Sequence, residues 1–95
     1  MSSRINKIFQ NKNKKLATFI TGGDPNIVIC KRILKTIINN KIDIVEIGMP
    51  FSDPMADGPT IQLSSSRAIK NGIDLDKIFE LSKYARKLNH DVPII

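Results

Sequence analysis

A chain of 95 residues with 41% hydrophobic and 25% charged side chains fits one small folded unit and excludes a disordered or fibrous polymer. Its net charge of +6 admits nucleic acid or an anionic surface as a partner, yet the lysines and arginines fall on the polar sides of predicted helices, and few aromatics are placed to stack on bases. A single cysteine excludes an internal disulfide, a CxxC redox pair and a cysteine-rich zinc site, which fits a reducing, cytoplasmic setting.

The basic N-terminus lacks an apolar run long enough for a signal segment, and no stretch approaches a membrane span. Ile5, Ile8 and Phe9 recur at helical spacing behind Ser2 and Ser3, predicting a short amphipathic lead helix that covers one end of a core. LATFIT, residues 16–21, is β-branched and aromatic and reads as a strand that ends at Gly22-Gly23. Asp24 is placed to cap the following helix, with Pro25 in its first turn. In that helix Ile27, Cys30, Leu34 and Ile37 share one face, Lys31, Arg32 and Lys35 lie toward the other, and Asn39-Asn40 supplies a left-handed C-cap.

Residues 42–47 form a second strand, rich in isoleucine and valine, with Glu46 set inside it. A carboxylate there must leave water as an acid or find a partner. The loop 48–59 follows, its path restricted by Pro50, Pro54, Pro59, Gly48 and Gly58. Residues 60–70 read as a helix ended by Asn71-Gly72, with Ser64-Ser65-Ser66 facing solvent. Asp74 caps another helix, which turns Leu75, Ile78, Phe79, Leu81, Ala85 and Leu88 inward. A third strand begins near Val92.

Strand, helix, strand in that order makes a βαβ unit with parallel strands. The fold class is α/β, either a doubly wound sheet or the N-terminal part of a (β/α)8 TIM barrel. The barrel is preferred because Ile44 and Glu46 share one strand face and Val45 and Ile47 the other, so one face can line a lumen while helices cover its reverse. Both informative loops also follow strand ends, with Glu46 near the C-terminal end of its strand. A strand starting at the last residues marks 1–95 as one incomplete barrel domain.

Nucleotide-loop, zincin and serine-hydrolase signatures are absent, and His90 sits in a helix-ending turn as a surface residue. Asp53 and Asp57 lack calcium-loop spacing and have no histidine nearby, so no metal is expected. What remains is a carboxylate constellation: Glu46, Asp53 and Asp57, with Asp24 at the neighbouring strand end. Each loop aspartate has a structural alternative, helix capping for Asp24 and Asx turns for Asp53 and Asp57. A buried pairing with a lysine would likewise account for Glu46.

VEIGMPFSDPMADGPTIQ, residues 45–62, together with FITGGDP, residues 19–25, closely resembles the tryptophan synthase α chain family, and the resemblance extends along the whole chain. It implies a (β/α)8 barrel more than twice this length. It also implies a lyase of tryptophan biosynthesis that cleaves indole-3-glycerol phosphate to indole and glyceraldehyde 3-phosphate. By residue-wise comparison, Glu46 is the proton-transferring carboxyl, Asp57 the carboxylate that stabilises the protonated ring, and Phe19 a wall of the indole pocket. Pro50, Asp53 and Pro54 match the contact surface for the β chain of an α2β2 tetramer. The α chain carries no cofactor; pyridoxal phosphate belongs to the β chain. Substrate phosphate is held in the family by later glycine-rich backbone, so the 95 residues alone are expected to be inactive. The alternatives are another phosphate-binding barrel enzyme with a strand-end glutamate and a small basic nucleic-acid-binding module.

Overall fold

A computed structural model describes residues 3–50 and 58–95. Among these the elements run α1 (Ser3–Ile8), β1 (Ala17–Thr21), α2 (Ile27–Asn39), β2 (Ile44–Gly48), α3 (Pro59–Lys70) and α4 (Leu75–Leu88). β1 and β2 are parallel, with Ala17 opposite Ile44, Phe19 opposite Glu46 and Thr21 opposite Gly48. On the other edge of β2, Val45 bridges Ile94 in parallel; Val45 N donates to Pro93 O at 3.0 Å and Ile95 N to Val45 O at 2.8 Å. β2 is therefore an interior strand, and the predicted third strand lies beside it in chain order.

β2 starts two residues later than its composition suggests. Leu16 O accepts both Asp43 N and Ile44 N, and Leu16 N donates to the Asp43 carboxylate at 2.9 Å, so the approach to the strand is a side-chain-tied turn. The alternation of faces holds. Val45 is fully buried with Cys30, Leu34 and Ile38 of α2 and Ile78, Leu81 and Ala85 of α4, while Ile20 and Ile47 pack on the same cluster.

Several caps and faces differ from expectation. Asn26, not Asp24, caps α2: its side chain accepts from Ile29 N, while the Asp24–Pro25 peptide is cis and precedes the helix. At the other end Asn40 keeps a negative φ, and the left-handed residue is Lys41 at φ 60°, one position past the predicted pair. Asp74 does cap α4, accepting from Lys77 N. Leu75 and Phe79 are exposed rather than inward, because the buried stripe of α4 runs through Ile78, Leu81 and Ala85. Ile5 and Phe9 are also exposed, so α1 does not cover a core end; it is tied instead by Arg4 Nε, which donates to His90 O at 2.7 Å.

Of the serine run only Ser66 faces solvent. Ser64 and Ser65 are buried, since small hydroxylated side chains let α3 lie close to β1. Nor is Arg86 a solvated cation. It donates to the carbonyls of Asn89, His90 and Val92, closing the turn into the third strand, and burial, with Arg4 nearby, pushes its guanidinium below the usual arginine range. Lys31 bridges α2 to Glu80 of α4 at 2.6 Å and lies over the Tyr84 ring.

Candidate active site

The strand register brings Phe19 and Glu46 side by side. Both project from the face opposite the helix-covered core, because they alternate with Thr18, Ile20, Val45 and Ile47. Phe19 is 47% exposed and Glu46 is half-buried, so the glutamate is not withdrawn from water as its isoleucine-rich surroundings suggested. Burial in this strand peaks at Val45, while Glu46, like Ile47, is only partly covered. Glu46 is also the central residue of β2, two positions before Gly48, rather than at the strand end.

Gly48 completes the arrangement. A Cβ there would lie 2.7 Å from Phe19 Cε2, so only glycine leaves the aromatic ring its place beside the strand end. Pro50 is buried. Asp53, Pro54 and Asp57, with most of the predicted loop, lie outside the described residues.

A cavity of about 260 Å³ opens beside Phe19, with Thr21, Ile33, Ile61, Ser64 and Arg67 among its lining residues; Glu46 is not one of them. Its floor is polar and ordered. Ser64 Oγ donates to Ile61 O at 2.9 Å, which leaves the 2.6 Å contact with Thr21 Oγ1 to be donated by the threonine. Asp24 is held by Arg67: Nε to Oδ1 at 2.8 Å and Nη2 to Oδ2 at 3.1 Å, a two-pronged pair that pushes the guanidinium further up from its ordinary value. The carboxylate constellation is therefore reduced by one member. Ser64, Arg67 and Asn71 were missed in the sequence, although their i, i+3, i+7 spacing on α3 marks a polar stripe of the kind that meets another element.

Among the described residues no three histidine, cysteine or carboxylate side chains gather as metal ligands, and no helix is long and apolar enough to cross a membrane.

Consecutive parallel strands joined by helices define the opening units of a parallel α/β fold. The family model for the tryptophan synthase alpha chain matches residues 5–95, and the chain belongs to that family. A tryptophan synthase alpha chain from Petrotoga mobilis is 50% identical over 78 residues, covering 82% of this chain and 30% of that relative. A solved structure from Aquifex aeolicus VF5 superposes with a TM-score of 0.88 at 39% identity, covering 98% of this chain and 37% of that one. The tryptophan synthase subunit alpha of Legionella pneumophila str. Paris gives a TM-score of 0.86 at 33% identity, over 96% of this chain and 35% of that one. The chain thus spans about a third of the length of the relatives it matches, and its fold is the corresponding part of a TIM barrel.

Proposed function

We propose that these residues supply part of the catalytic rim of a tryptophan synthase α subunit, a lyase that cleaves indole-3-glycerol phosphate to indole and glyceraldehyde 3-phosphate. The observation that carries this reading is the in-register pairing of Phe19 with Glu46 inside a chain that matches the family along residues 5–95. In a retro-aldol cleavage a proton is delivered to the ring carbon that bears the side chain, and the side-chain hydroxyl loses its proton. The carbon–carbon bond then breaks, its electron pair returning to the ring as the aldehyde forms. One carboxyl positioned between those atoms serves both transfers. Glu46 takes that task, Phe19 packs against the ring, and Asp57 stabilises the charge on the protonated heterocycle.

The same reading assigns Pro50, Asp53 and Pro54 to a contact surface for a β chain that carries pyridoxal phosphate, in an α2β2 tetramer. This chain itself holds no cofactor, and its place is the cytoplasm. The supporting features are the proline-restricted loop and the family match; the single cysteine is consistent with a reducing compartment.

The test joins residues 1–95 to the remaining two-thirds of the Petrotoga mobilis chain and follows indole release from indole-3-glycerol phosphate. In this joined chain Glu46→Gln and Asp57→Asn are expected to lower turnover by at least about 100-fold, within the range of lost acid–base catalysis, with the circular dichroism spectrum unchanged. Turnover retained in folded Glu46→Gln protein removes the central assignment.

A further inference from the structure

One side of α3 is stitched to the end of β1 and the turn that follows it by three polar contacts in succession. Ser64 meets Thr21 at 2.6 Å, Arg67 grips both oxygens of Asp24, and Asn71 Nδ2 donates to Pro25 O at 2.6 Å. The three helix residues are spaced i, i+3 and i+7 and so stand on one stripe, while their partners span five residues that run straight on from β1. An isolated exposed ion pair fixes little. This one differs in its two-pronged geometry, in the low exposure of the Asp24 side chain (19%), and in having a buried contact on one side and a backbone contact on the other.

The consequence is positional. Apolar contact between α3 and the main core is slight: its buried side chains are Ser64, Ser65 and Ala68, and the core cluster is drawn from α2, β2, α4 and Val92. Direction along the helix axis is therefore set chiefly by the polar stripe. Ile61, which shares the cavity wall with Phe19, stands one turn before Ser64 and two before Arg67.

We infer that Arg67, through Asp24, is a positioning residue that holds the Ile61 turn of α3 across the cavity from Phe19 and so sets how the aromatic part of the substrate is received. The inference rests on the function proposed above. Loss of the grip lets α3 slide against the turn, which widens the cavity without touching Glu46.

In the joined chain Arg67→Ala is expected to raise KM for indole-3-glycerol phosphate about fivefold with kcat nearly unchanged, the scale of one lost charge-assisted pair. Asp24→Asn gives the same shift, the double variant no more than either, and Arg67→Lys, which keeps the charge but not the fork, an intermediate value. A purely structural role lowers the active fraction and leaves KM in place. KM values within twofold of the parent, or additive effects of the two substitutions, overturn the inference. A second measurement needs no turnover: hydrogen exchange at the Gln62 amide, bonded to Gly58 O at 3.0 Å, should quicken in Arg67→Ala while the Ile78 amide of α4 is unaffected. Equal protection at Gln62 in variant and parent also overturns it. A parent without turnover sinks the proposed function instead, and the exchange result still decides the role of Arg67.

Discussion

Cys30 is fully buried between β1 and the α4 helix, where its sulfur accepts a hydrogen bond from Gly23 N at 3.3 Å. Burial pushes its thiol up, and the amides at Gly23 and Asp24 only partly oppose this. The folded chain therefore keeps a proton that the unfolded chain gives up, so this residue costs no stability below the ordinary thiol value of about 8.5 and takes stability away as pH rises above it. Urea midpoints measured at pH 7.5 and pH 9.5 should fall more in the parent than in Cys30→Ala. An identical fall in both proteins would refute the assignment of that slope to Cys30. Gly22 illustrates the same tight packing: a Cβ there would run into Ile78 Cδ1 and lie 3.1 Å from Gly48 O.

At the scale of elements, α2 and α4 begin where short polar side chains accept a free amide, whereas α3 starts at Gly58 with Pro59 in its first turn and no side-chain cap; which residue caps depends on the path of the chain. Asn26 and Asp74 are the caps of α2 and α4, each in extended backbone with its side chain accepting three residues on. Asn26→Ala and Asp74→Ala are each expected to lower the stability of the joined chain by about 1 kcal/mol. Asp24→Ala has no capping bond to lose and should act on the Arg67 contact alone. Denaturation curves for the three variants separate these effects, and a loss of helix content in Asp24→Ala equal to that in Asn26→Ala would contradict the observed cap. The cations follow a similar logic. Lys31, Lys77, Arg67 and Arg86 all have named partners within the chain, so these four of the fifteen lysines and arginines tie elements or turns together.

For the whole molecule the decisive feature is apolar surface. Val28, Ile33, Leu63, Leu75, Phe79 and Ile95 are exposed, and two strands with a third segment can neither close a barrel nor bring further helices over these residues. The 95-residue polypeptide by itself is expected to self-associate, to bind a hydrophobic dye and to release no indole. Sharp two-state unfolding of a monomer, or turnover by that polypeptide alone, would contradict this.

The βαβ order, the parallel pairing, the helix stops at Gly72 and near Asn40 and the division of β2 into a core face and an open face were all legible in the sequence. They depend on local rules: side-chain alternation, helical periodicity and the conformational preferences of glycine, proline and asparagine. The proximity of Phe19 and Glu46 was legible only as far as parallel neighbouring strands allow, since register is decided by pairing across the sheet. Helical periodicity marked Cys30, Leu34, Ile78, Leu81 and Ala85 as core, and they are buried; where burial departs from that pattern, tertiary structure decided it. Nothing local distinguishes the hidden Ser64 and Ser65 from a solvated serine run, or the exposed Leu75 and Phe79 from core residues, until α3 lies on β1 and α4 on α2. The half-buried state of Glu46 and the diversion of Asp24 to Arg67 have the same cause, because the hydration and partners of a carboxylate depend on elements distant in the chain that only folding brings beside it.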